Sequence, residues 1–111
     1  MLAKAIQYAK KNPVKGLPRF AALITDKKRI VSYGFNSWTT HPLQAKFCMH
    51  PEAIHLHAEI AAIAAAKCDV EGMSMFVARV LRSGEPALAR PCKGCQDALL
   101  AFKFKNVYWT E

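Results

Sequence analysis

The chain has 111 residues, 52% of them hydrophobic and 22% charged, which is the composition of a globular domain and excludes a disordered chain. Lys and Arg outnumber Asp and Glu 16 to 8, for a formal net charge of +8, which suits a polyanionic partner, a phosphorylated substrate or simply a basic solvated face. No run approaches the roughly 18 apolar residues of a membrane helix, and Lys4 and Gln7 interrupt the apolar N-terminus, so neither a membrane anchor nor a secretory leader is expected. The expectation is one domain over residues 1–111 in the cytoplasm, where four cysteines serve as metal ligands, catalytic groups or core residues before they serve as disulfides.

Leu2 to Lys11 sets Leu2, Ala5, Ile6 and Ala9 on one face and Lys4, Gln7, Lys10 and Lys11 on the other, the pattern of a short amphipathic helix that Asn12-Pro13 stops. Phe20 to Thr25 is a buried strand. Asp26 to Arg29 turns the chain into a second strand, Ile30 to Tyr33. Ser37 to Leu56 holds Pro42 and Pro51, shows no period and reads as a long functional loop. From His57 to Lys67 the alanine-rich run is helical, with Ile60, Ile63 and Ala64 on one stripe. Met73 to Ala78 is a third strand, and Leu81 to Arg90 a loop. Cys95 to Phe104 is a third helix, with Ala98, Leu99 and Phe102 inward and with Asp97 and Lys103 suiting its dipole. Asn106 to Trp109 is the last strand. The order α-β-β-α-β-α-β predicts a three-layer α-β-α fold around a mixed sheet.

The residues with chemistry in them are His57, Cys92 and Cys95. Cys92 and Cys95 have two residues between them, and His57 precedes Cys92 by 35 positions, enough for a helix, a strand and a return loop. Zinc takes such ligands tetrahedrally, and three protein ligands leave one position for water, as hydrolysis needs. Both ligand groups stand at helix starts, whose partial positive charge favours thiolate. Glu59, in the same first turn as His57, can face the space beyond the helix end and act as general base and then general acid. The alternatives are a thioredoxin-type dithiol and a structural zinc knuckle with Cys68 or His55 as fourth ligand.

His57-Ala58-Glu59 followed by Pro91-Cys92-Lys93-Gly94-Cys95 resembles the zinc-dependent cytidine/deoxycytidylate deaminase superfamily, whose signature is this motif pair. Phe20–Thr25, Ile30–Tyr33, Gly34-Phe35-Asn36 and Asn106–Trp109 resemble the family's first hairpin, its Gly-x-Asn ending and the strand after the zinc helix. The resemblance implies a cytidine-deaminase-like fold, one catalytic zinc on His57, Cys92 and Cys95, and Glu59 as proton shuttle. It implies backbone groups of Ala58 and Cys92 beside the base, and Asn36 bonded to the substrate's sugar or base. The alternative for Asn36 is an ordinary turn residue.

The crowding of His41, Cys48, His50 and His55 lacks the tight spacing of a second, structural zinc site. Phe35, Trp38 and Phe47 either stack on a base or pack the loop onto the body. Arg79, Arg82, Arg90 and Lys93 either bind phosphate or form a solvated face. Only 16 residues follow Cys95, so an uncovered sheet edge and a homo-oligomer are expected. The resemblance and the 21-position separation of Asn36 and His57 imply a hydrolase of a small cytosine nucleoside or nucleotide, dCMP-like, converted to the uracil form. The other readings are an editor of single-stranded nucleic acid, also served by +8, and a zinc-stabilised binding module without activity.

Overall fold

The continuous apolar run Phe20–Ile24 and the strand that follows it form the centre of the molecule. In the computed structural model, which describes residues 1–39, 41–47 and 55–111, β1 (Arg19–Asp26) and β2 (Arg29–Phe35) pair as an antiparallel hairpin. Lys27 and Lys28 close it, both with positive φ (50° and 68°), the geometry that two-residue hairpin turns require. β3 (Ser74–Val80) runs antiparallel to β1 along its other edge. On the far side of β3, β4 (Pro86–Ala87) pairs with Arg79 and Val80, and β5 (Asn106–Trp109) runs parallel to residues 74–77. The sheet is therefore mixed, and β5 pairs with β3 alone among the described strands.

Helices cover both faces. The amphipathic α1 (Leu2–Lys10) buries Ala5 and Ala9 against Ala21, Leu23, Ala78 and Val80. On the other face α3 (Ala58–Ala65) and α4 (Lys93–Ala101) pack on Ala22, Ile24, Met75 and Val77. The period of two in β1 accounts for the split: Ala21 and Leu23 face α1, while Ala22 and Ile24 face α3. The three-layer α-β-α prediction holds. Among the described residues no helix is long and apolar enough to cross a membrane.

Several details differ from the sequence expectation. The stretch read as irregular contains α2 (Pro42–Phe47), whose one buried residue is Gln44. Ala64 is exposed, because α3 lays Ala58, Ile60, Ala62 and Ile63 on the sheet and turns Ala64 away. The helix ends at Ala65 rather than Lys67, where Ala66 becomes extended (ψ 128°). α4 begins two residues before Cys95 and stops at Ala101. Asp97 consequently lies past its first turn, paired with Lys93 at 3.5 Å, and Lys103 lies beyond its end, 3.7 Å from Glu71. Neither charge sits on the dipole as expected. Cys48 and His50 fall outside the described residues.

One glycine sets how closely α3 approaches the sheet. A Cβ on Gly34 would strike the Ala62 backbone nitrogen and come within 2.6 Å of the Ala61 carbonyl carbon. Beside it the Ser32 hydroxyl donates to Ala62 O at 2.8 Å. Gly34→Ala must push α3 off β2 and is expected to cost about 1–3 kcal/mol. A denaturant midpoint equal to that of the parent would contradict this packing.

Candidate active site

The two crossover helices begin at the same end of the sheet. His57 is the N-cap of α3 and Cys92 the N-cap of α4, both with extended backbone (φ −83°, ψ 152°; φ −69°, ψ 169°). His57 Nδ1 lies 3.3 Å from Cys95 Sγ and 3.5 Å from Cys92 Sγ. The three potential ligand atoms are all within 4.8 Å of one another, the one such group of His, Cys, Asp and Glu among the described residues. A tetrahedral ion with bonds of about 2.0 Å to nitrogen and 2.3 Å to sulfur needs roughly 3.5 Å between the two donors. The donor set fits zinc in distance and in chemistry. Neither Cys68 nor His55 joins it; His55 instead stacks on the His57 ring, 5.1 Å between centroids.

Helix ends and mutual hydrogen bonds tune these groups. The Cys92 thiol is brought down to about 3, first by the hydrogen bond with the Cys95 side chain and then by that with His57. The Cys95 backbone N–H adds to this, at 3.5 Å from Cys92 Sγ. His57 is raised by its hydrogen bond to Cys92, against the pull of burial. This direction favours the thiolate, the form that binds a metal.

Glu59 lies in the first turn of α3 and is only 5% exposed. Burial pushes its carboxyl above the ordinary carboxylate range, opposed by its own backbone N–H, the His57 charge and a hydrogen bond with Cys95. Mid-helix spacing would point His57 and Glu59 apart. At the helix start both line one cavity of about 250 Å³. Ala58, Asn36 and Phe20 stand around the same space. Asn36 is 5% exposed and well held: Oδ1 accepts from Asn12 Nδ2 (2.7 Å) and Phe20 N (3.0 Å), and Nδ2 donates to Pro18 O (2.6 Å).

The aromatic expectations divide. Phe35 packs on the α1 side of the sheet and touches Tyr33, because Ser32 and Gly34 occupy the α3 side of β2. Phe47 packs on Phe102 at 6.2 Å. Trp38 donates from Nε1 to Lys15 O (2.8 Å) and meets His55 edge-on. The ring that does line the cavity is Phe20, whose place on the Ala22 and Ile24 face was readable from β1 alternation. Gln44 had no sequence signal. Its Oε1 accepts from the His57 backbone N–H at 2.9 Å, which holds the start of α3 from the neighbouring helix.

This geometry can be compared with known proteins. The family model described as the cytidine and deoxycytidylate deaminase zinc-binding region matches residues 1–111. The chain belongs to that family. The family is a zinc-binding one, and His57, Cys92 and Cys95 form a candidate single zinc site. No curated protein sequence matches this deaminase-family chain. Among solved structures, the dCMP deaminase of cyanophage S-TIM5 in complex with dCMP and dUMP is 17% identical, with a TM-score of 0.66 over 97% of this chain and 76% of that one. Acinetobacter baumannii RibD is 22% identical, with a TM-score of 0.60 over 97% of this chain and 26% of the other. Bacillus subtilis guanine deaminase is 20% identical, with a TM-score of 0.59 over 97% and 60%. At these identities the likeness is one of fold.

Proposed function

We propose that the protein hydrolytically deaminates a cytosine nucleoside or nucleotide, consuming water and releasing ammonia and the uracil form. The observation carrying this reading is the cavity above Glu59, His57 and Cys92. At about 250 Å³ it lies just below the usual range of ligand sites, roughly 300–1,000 Å³, and has room for one nucleobase, cytosine in this reading. The family description, which names cytidine and deoxycytidylate, supports the same choice.

Zinc held by His57, Cys92 and Cys95 would supply Lewis acidity that makes water acidic enough to attack at neutral pH. Glu59 takes the proton from the attacking water on a carboxylate oxygen. It then returns a proton to the departing amine, so the carboxyl is regenerated in each turnover. Its burial suits a group that must hold a proton between the two steps. Backbone groups of Ala58 and Cys92 bound the base, and the Phe20 ring offers it an apolar face. The Asn36 Nδ2 hydrogen not given to Pro18 is available to a substrate hydroxyl or to the base. A reducing, cytoplasmic setting belongs to this reading, because both thiol ligands must remain reduced.

Ammonia release from the zinc-loaded protein, measured on cytosine, adenine and guanine as bases, nucleosides and nucleotides, tests the proposal. Turnover is expected with cytosine nucleosides or nucleotides. Turnover restricted to a purine, or none with any of them, would overturn it.

A further inference from the structure

The helix that carries His57 starts without a cap of its own. At a helix start the N-cap side chain ordinarily accepts from an N–H of the first turn, and a Glu or Gln at the third helical position reaches back to the N-cap N–H. α3 has neither. The His57 side chain makes no capping hydrogen bond, because its Nδ1 is turned to the two thiols. The third helical position is Ile60, an apolar residue buried in the core. Glu59, one position earlier, lines the catalytic cavity.

Gln44 supplies the missing acceptor from a different helix. Its Oε1 takes the His57 N–H at 2.9 Å, the bond that a third-position Gln would make within its own helix. The side chain is 1% exposed, so the amide has been taken out of water to make its bonds inside the protein. Its placement is itself built. Leu43 and Phe47, also on α2, pack against the core, and Phe47 meets the Phe102 ring at the end of α4. His41 starts the helix: its carbonyl accepts from Gln44 N at 2.9 Å and its Nδ1 from Leu43 N at 3.1 Å. A chain of contacts thus runs from His41 through α2 to the backbone of a metal donor.

Only χ1 and χ2 separate that backbone from the imidazole, so a displaced N-cap displaces Nδ1. A zinc ligand atom has to fall within about 0.2 Å of its ideal bond length. Groups that orient metal ligands from behind change metal affinity by about 10- to 100-fold when they are removed.

We propose that Gln44 is a positioning residue of the zinc site: by accepting the His57 N–H from α2 it fixes the imidazole for the metal and sets the affinity of the site. This rests on reading His57, Cys92 and Cys95 as the zinc ligands, and not on the choice of substrate.

The test compares the full chain with its Gln44→Met and Gln44→Glu variants. Met keeps nearly the shape of Gln and lacks the oxygen acceptor, whereas Glu keeps an acceptor oxygen. Zinc affinity is read by competition with a chromophoric chelator, and the absorption bands of the cobalt-substituted protein report the ligand geometry. Gln44→Met is expected to bind zinc about 10- to 100-fold more weakly with altered cobalt bands, and Gln44→Glu to stay within about threefold of the parent. A merely structural Gln44 would lower the Tm of the metal-free Met variant and leave zinc affinity and cobalt bands unchanged, which overturns the proposal. So does an equal loss of affinity in the Glu variant. Should Gln44→Met fail to fold, His41→Ala loosens the start of α2 instead; a loss of zinc affinity of about threefold is expected, and an unchanged affinity overturns the proposal. The affinity difference in a protein that releases no ammonia from any base removes the deaminase reading and keeps this role for Gln44. Equal affinities with full turnover of cytosine substrates remove the role and keep the reading.

Discussion

Glu59→Gln is expected to lower ammonia release by about 10²- to 10⁴-fold while the protein keeps one equivalent of zinc. Gln has nearly the volume of Glu, so the first turn of α3 stays packed and His57, Cys92 and Cys95 keep their places. What disappears is the one acidic group lining the catalytic cavity among the described residues, and with it the ability to accept and return a proton. The same change is expected to hold or raise the melting temperature. Burial raises the Glu59 carboxyl above its unfolded value, so its stabilising contribution is present in the protonated state at low pH and is lost as pH rises through the folded pKa. A neutral amide removes that loss, and an active-site substitution that costs activity without costing stability is the common outcome. Elemental analysis, calorimetry and an ammonia assay on one preparation settle the matter. Turnover equal to the parent's would remove Glu59 from the chemistry, and loss of zinc together with activity would make it a structural residue.

Cys92→Ser is expected to abolish stoichiometric zinc and, with it, the stabilisation that zinc confers. The choice of Cys92 over Cys95 matters physically. Cys95 is fully buried in the core beneath α3 and α4, where any change also disturbs packing. Cys92 is exposed and is the N-cap of α4, a position at which Ser is among the best residues. In metal-free protein the substitution should therefore be neutral or slightly stabilising. With zinc at a hundredfold excess over its dissociation constant, the parent gains about 2.7 kcal/mol and the variant gains nothing close to it. Paired thermal melts with chelator and with zinc give the result directly. A zinc-dependent rise in melting temperature preserved in the variant would contradict the ligand assignment.

The site was unusually legible in one dimension because its donors sit in two short motifs, each at the start of a helix. His57-Ala58-Glu59 and Cys92-x-x-Cys95 contain their own local geometry: the N-cap residue and the first turn point past the helix end by construction. Asn36 was legible as a candidate for a different reason, as the residue that ends a hairpin. In the structure its side chain braces Asn12, Phe20 and Pro18 at the cavity wall, a role that no local pattern contains because its partners lie 16 to 24 positions away in sequence for two of these bonds.

Composition, alternation and motif spacing were enough to read the layers, the order of the elements other than α2 and β4, and the three candidate metal donors, because each depends on neighbours within a turn or two of the chain. Packing alone decided the rest. Phe20 rather than Phe35 or Phe47 reached the cavity, because the side of the sheet that α3 covers selects among the aromatics. Gln44 came to hold the His57 backbone from a helix that has no sequence period of its own. Arg79 was delivered from the end of β3 to the face of the Phe20 ring on β1. These are contacts between segments far apart in sequence, and only the closing of the sheet and its two helical layers brings their atoms within reach.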